Sequence, residues 1–226
     1  ERIAVSSCQT HGIRFGFAGM ANGSSQNRVV GCRIGDCQGA GIYVDINGTD
    51  HTIAENYIHT CAYGIVIYNG GVRVINNGIF GHTLAGLLVG QTANAVIIAA
   101  NDFNANQQHS IYVTSSTDVA LGPWSQILIT ANSIMGDGLA AANRYDGIHV
   151  KTDILHGIAN LTITGNKIFS QARTKPYRYG ICLAQNVTET TCAANHIYNV
   201  ATAPYFVGDT CSAIALDRIF SGLVAQ

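Results

Sequence analysis

The sequence predicts an all-β protein, a parallel β-helix in which each turn of the chain stacks on the one before it. Three observations predict this. A unit of the form Gly-Ile-x-Val recurs as GIRF from Gly12, GIYV from Gly41, GIVI from Gly64, GLLV from Gly86, SIYV from Ser110, GIHV from Gly147 and GICL from Gly180. A second unit places Asn56, Asn77, Asn101, Asn132, Asn166 and Asn195 two residues before Ile58, Ile79, Phe103, Ile134, Ile168 and Ile197. The period, roughly 21 to 37 residues, suits a solenoid coil and none of the helical repeats.

Within each coil, short runs of alternating Ile and Val are separated by Gly and Asn, which is strand punctuation. Stacked coils bring equivalent residues about 4.7–4.9 Å apart, so the Asn side chains form hydrogen-bonded columns and Ile58, Ile79, Ile134, Ile168 and Ile197 fill the interior. The first coil opens inside a strand, Arg2 to Val5, with no polar cap, so the solenoid is expected to be incomplete at its N-terminal end. Residues 1–226 read as a single domain. The run from Ala213 departs from the frame, and 212–226 is expected to be a cap or the start of a further module.

Cys8, Cys37 and Cys61 fall in one column, followed by His82, as small buried apolar groups. Disulfides between neighbours stay open by distance. No Cys or His spacing suits a metal, so no metal site and no cofactor is expected.

Composition narrows the function. A chain 47% hydrophobic and 11% charged carries a large core, and a formal net charge of −1 argues against nucleic acid as a partner. No apolar run is long enough to insert in a membrane.

Because side chains alternate across a strand, the repeat defines three outward rows. They are the residue before each Gly (His11, Ala40, Tyr63, Ala85, His109, Asp146, Tyr179), the second after it (Arg14, Tyr43, Val66, Leu88, Tyr112, His149, Cys182) and the fourth (Gly16, Asp45, Tyr68, Gly90, Thr114, Lys151, Ala184). Around NRYDGIHVK, from Asn143, all three rows become ionisable. The two longest insertions, from Gly136 and Ser170, precede these strands, and Arg144, Lys151, Lys167, Arg173, Lys175 and Arg178 are six of the 12 basic residues. A walled, basic groove with exposed Tyr145, Tyr177 and Tyr179 suits an anionic saccharide. Asp45, Asp50 and His51 form a smaller cluster that reads as turn chemistry.

With these repeats, the chain resembles the right-handed parallel β-helix of the pectate-lyase-like superfamily, which includes phage tailspike depolymerases, polygalacturonases, pectate lyases and mannuronan epimerases. The epimerases carry a catalytic Tyr-Gly-Phe-Asp-Pro-His coil on the same outward rows; here those slots hold Asp146, His149 and Lys151. The polygalacturonase signatures are absent as a set. The resemblance implies a polysaccharide partner, an extracellular location in a virion tail or as a secreted protein, and, from the tailspikes, a homotrimer. An outward apolar stripe of Tyr43, Val66, Leu88 and Tyr112 suits such an interface.

The chemistry then divides. Glycoside hydrolysis, the tailspike-like reading, needs two carboxylates, Asp146 with Asp153 or Asp137. Lyase or epimerase action on a uronic acid needs a base (His149), an acid (Tyr145 or Tyr179) and a cation on the carboxylate (Lys151 or Arg144). His109, Tyr112, Arg173, Lys175, Tyr177 and Arg178 would bind substrate. A structural or adhesin β-helix without catalysis is the third reading.

Overall fold

The computed structural model describes residues 3–16, 23–90, 93–115, 126–136, 139–153, 158–171 and 176–217. Three parallel sheets of eight strands each run the length of the chain, and no helix occurs among the described residues. One coil shows the plan: Thr52–Ala54 lies in sheet three, Tyr57–His59 in sheet one and Tyr63–Ile67 in sheet two, before Arg73–Ile75 returns to sheet three. Ile58, Ile79, Phe103, Ile134, Ile168 and Ile197 pair in register down sheet one and are all 2% exposed or less.

The corner between sheets three and one explains the repeated Asn. Each turn passes through a left-handed residue, among them Glu55, Asn76, Ala100, Ala131 and Ala194, a conformation that side chains other than Gly adopt only when something compensates. The compensation is a ladder. Asn56 Nδ2 donates to Asn77 Oδ1 at 2.9 Å, Asn77 to Asn101 at 3.0 Å, Asn101 to Asn132 at 3.0 Å, and the chain continues through Asn166 to Asn195. Each Asn also donates to a carbonyl of the preceding coil, as Asn101 does to Val74 at 2.9 Å. Cys32 heads this column, its N–H donating to Asn56 Oδ1.

The Gly of Gly-Ile-x-Val marks a tight bend into sheet two. A Cβ on Gly41 would lie 2.5 Å from Ile58 Cγ2 and 2.9 Å from the Gly64 carbonyl of the next coil. Ser110, like Pro204 on the last rung, occupies this slot with a side chain, and the Ser110 Oγ lies 2.6 Å from the Tyr177 hydroxyl.

Cys37 makes thiol contacts with both Cys8 and Cys61, so the three cysteines are stacked neighbours, all as free thiols, and His82 continues the column, its Nδ1 accepting the Cys61 N–H at 3.1 Å. Two expectations are corrected. Ser212–Leu216 does not leave the frame but pairs with Thr188–Ala193 as the next rung of sheet three; 218–226 lie outside the described residues, as does Arg2. The stripe of Tyr43, Val66, Leu88 and Tyr112 faces outward in register, yet Val66 and Leu88 are only 2% and 6% exposed. Ala40 leaves room beside them, and Tyr43, Tyr63, Tyr68 and Tyr112 fold over them as a small second core outside the coil.

Candidate functional site

Three successive rungs of sheet two, Ile111–Ser115, Ile148–Thr152 and Tyr179–Gln185, pair Tyr112 with His149 and His149 with Cys182. Thr114 pairs with Lys151, but a register irregularity after Val150 matches Lys151 to Gln185 and not to the expected Ala184.

Asp146 is the centre of this patch, and the expectation that it faces solvent is corrected: it is fully buried. Its Oδ2 accepts from His149 Nδ1 at 2.7 Å and Arg178 NH2 at 2.8 Å; its Oδ1 accepts from Arg178 Nε and the Tyr179 N–H, both at 3.1 Å. Burial pushes this carboxyl up, but the hydrogen bonds from His149 and Arg178 together hold it below the usual carboxylate range. An ionised carboxylate only accepts, so the shared proton sits on His149 Nδ1 and the lone pair of a neutral ring is on Nε2. Among the described residues, Nε2 has no hydrogen-bond partner.

His109 is set in the opposite sense. Its Nδ1 accepts the Asp146 N–H at 3.0 Å, so its own N–H is on Nε2. Burial first, then the neighbouring His149, pulls it down to about 4, and it is neutral above that pH. The two imidazoles stack at 4.5 Å between centroids. Tyr112 packs at 5.4 Å from His109 and 5.5 Å from His149, and Tyr145 meets His109 edge-on at 5.5 Å.

His109, Asp146 and His149 carry ligand atoms within 4.8 Å of one another, a spacing that a metal ion could use. The donor set does not fit one. Both carboxylate oxygens are already held by the Arg178 guanidinium, and a second cation there would face that fixed charge.

The remaining expected residues scatter around this core. Arg144 is exposed, its guanidinium 5.7 Å from the Tyr145 ring. Lys151, partly exposed, lies 3.9 Å from the exposed Asp153. Tyr179 stacks on Phe206 at 4.9 Å beneath Arg178. Arg178, expected on substrate, instead directs its Nε and one NH2 at Asp146. Tyr177, expected as a sugar-stacking face, is fully buried with its hydroxyl on Ser110 and its N–H on Ser170 Oγ. Arg173, Lys175 and Asp137 lie outside the described residues. Of the carboxylate pairs for glycoside hydrolysis, Asp146 with Asp153 joins a saturated, buried carboxylate to an exposed one, and Asp146 with Asp137 lies outside the described residues.

Sequence reasoning missed the clamp that Arg178 forms and the contact of Cys182, whose thiol, pushed up to about 12 by burial, lies 3.9 Å from Arg178. One available signal was Ser110 in a slot that the other six Gly-Ile-x-Val units give to Gly.

A family profile described as right handed beta helix region matches residues 1–103 and 85–221. The chain belongs to that family. No curated protein matches this right-handed β-helix chain. Among solved structures, it is similar to the A-module of mannuronan C-5 epimerase AlgE4 of Azotobacter vinelandii, with 14% identity and a TM-score of 0.70 over 93% of this chain and 58% of that one. It is similar also to a point mutant of the periplasmic alginate epimerase AlgG, with 16% identity and a TM-score of 0.67 over 88% of this chain and 46% of that one. The AlgE6 A-module of the same Azotobacter matches at 12% identity and a TM-score of 0.58, over 94% of this chain and 70% of that one. The β-helix described here thus spans about half the length of AlgG and of the AlgE4 module, and at these identities the likeness is one of fold.

Proposed function

We propose that this β-helix acts on a uronic-acid polysaccharide by removing the proton on the ring carbon beside the carboxylate, as a lyase or an epimerase. The observation that carries the reading is the Asp146–His149 contact: a saturated carboxylate holds the imidazole by Nδ1 and leaves Nε2 as the base. The imidazolium formed is stabilised by Asp146, as a buried carboxylate stabilises the His of a hydrolytic triad.

The negative charge that develops on the sugar carboxylate needs cations, and Arg144 and Lys151 are the solvent-facing ones beside the cluster. Either of two endings balances. A phenol, Tyr112 or Tyr145, returns a proton to the opposite face of the same carbon, giving the epimer. Otherwise the neighbouring C–O bond breaks, the phenol protonates the departing oxygen and an unsaturated uronate remains. Similarity to proteins named as alginate and mannuronan epimerases makes polymannuronate the first substrate to try.

The test is incubation with uronate polymers in D2O. Deuterium entering the polymer at that carbon supports epimerisation, and absorbance of an unsaturated uronate supports elimination. New reducing ends with neither signal would sink the reading in favour of hydrolysis.

A further inference from the structure

The same face of sheet two carries a second cluster built like the first. His11 Nδ1 accepts the Ala40 N–H at 3.0 Å, just as His109 Nδ1 accepts that of Asp146 at 3.0 Å. The His11 ring stacks on Tyr43 at 4.2 Å and 22°, as His109 stacks on His149 at 4.5 Å and 30°. In both clusters a buried Asp is held by an Arg: Asp45 is 6% exposed and pairs with Arg14, and its other oxygen accepts the Ile46 N–H at 2.7 Å. Asp45 was expected to be turn chemistry, and it is that as well; Asp50 and His51 take no part. The second cluster lacks the dyad, because Tyr43 stands where His149 stands, so it has contact groups without a base.

The two clusters are joined. Tyr43 meets Tyr68 edge-on at 5.5 Å, and Tyr43, Tyr63, Tyr68 and Tyr112 all pack over the same Ala40, Val66 and Leu88 surface. Burial, and then the neighbouring ring, pushes the Tyr43, Tyr63 and Tyr68 phenols up, so these three hydroxyls stay protonated donors. Tyr112 then touches His149. From the first two rungs to the fifth and sixth is about 19 Å at the usual strand spacing, longer than a single sugar ring.

Resting on the reaction proposed above, we infer that His11, Arg14, Tyr43 and Tyr68 form a remote saccharide contact, and that the tyrosine track draws one uronate chain along sheet two from there to His149. Rings of Tyr present flat apolar faces with a hydroxyl at the edge, which suits sugar stacking. Arg14, 44% exposed in its side chain, adds a cation for a sugar carboxylate at the far end of the track.

The experiment uses uronate oligosaccharides of increasing length and three variants, Arg14→Gln, Tyr63→Phe and His149→Gln, each checked for an unchanged melting temperature. Arg14→Gln keeps a donor towards Asp45 while removing the charge. The wild-type protein should gain affinity as oligomers grow long enough to reach Arg14. Arg14→Gln should weaken binding of long oligomers by about tenfold or more, the loss of one charged hydrogen bond, and leave short ones unaffected. His149→Gln should bind long oligomers normally and turn none over. Equal losses on short and long oligomers, or no loss at all with Arg14→Gln and Tyr63→Phe, overturns the track. Length-dependent binding that Arg14→Gln abolishes, in a protein that turns over none of the oligomers, would keep the track and remove the proposed reaction.

Discussion

His149 Nδ1 lies 2.7 Å from Asp146 Oδ2, and that carboxylate is closed to solvent while accepting four hydrogen bonds. Losing either residue therefore has different consequences. Asp146→Asn is expected to reduce turnover of a uronate polymer by at least about a hundredfold, the usual scale for an acid–base group. It also strips the Arg178 guanidinium of its anion, which costs about 3 kcal/mol of stability for a broken buried pair. His149→Gln should lose as much turnover with little change in melting. Rates and melting temperatures of both variants check this, and an Asp146→Asn protein that melts normally would contradict the buried clamp.

The rows on sheet two were legible from sequence because alternation in a strand fixes direction, and Tyr112, His149 and Lys151 lie where that argument put them. Burial was not legible, because facing outward is not the same as being exposed. Asp146 is covered by Arg178, which arrives 32 residues later, and Val66 and Leu88 are covered by tyrosines from their own and adjoining rungs. The interior column of Ile and the Asn ladder were legible for the opposite reason: each member repeats in every coil, so one correct register fixes them all.

The Asn ladder carries the second prediction. Asn101 accepts the Asn77 N–H and Nδ2 and donates to Val74 O and Asn132 Oδ1, all within 3.0 Å and buried. Asn101→Ala leaves several of these partners unsatisfied, at roughly 1–3 kcal/mol each before relaxation. The expected result is a drop of about 3–5 kcal/mol in unfolding free energy, or failure to fold, measured by urea denaturation. A loss below about 1 kcal/mol would show that the ladder is not what holds the left-handed corner.

A third prediction concerns pH. Burial pulls His82 and His109 down from 6.5 to about 4. Their unfolded forms bind a proton first, so each contribution is complete above pH 6.5 and is lost as the pH falls towards about 4, amounting to roughly 3 kcal/mol per residue. Asp146, held below the usual carboxylate range, keeps its contribution through that window and loses it only on further acidification. His82 Nδ1 accepts the Cys61 N–H, its backbone N–H donates to Asn106 Oδ1 at 3.2 Å, and its ring Nε2 has no partner among the described residues. His82→Asn repeats the residue of the next rung in that column. It should flatten part of the fall in urea midpoint between pH 6.5 and 4, leaving the parts due to His109 and to His11 and His51, which burial also lowers. An unchanged slope would mean that His82 is not the titrating group.

Tyr177 and Tyr179 supply the last prediction, because two residues apart they do opposite work. The Tyr177 ring fills the corner that Gly136 leaves open, where a Cβ would lie 2.6 Å from it, and its hydroxyl meets Ser110, which stands at the bend where six other coils have Gly. Burial drives that phenol far up, so it never ionises in the folded chain. Tyr179 lies on the outer face between Arg178 and Phe206, half-buried and next to the Asp146 clamp. Tyr177→Ala should therefore cost about 3–5 kcal/mol in stability, as large aromatic truncations in a core do. Tyr177→Phe should cost about 1–3 kcal/mol for the stranded Ser110 hydroxyl and leave oligosaccharide affinity unchanged. Tyr179→Ala should do the reverse, weakening uronate binding by about tenfold with a small effect on melting, as loss of the ring edge and hydroxyl that Tyr179 presents beside the Asp146 clamp would. Titrating one oligosaccharide into the three variants separates the roles. Weakened binding in Tyr177→Phe with normal stability would return Tyr177 to the groove and show that the corner opens in solution.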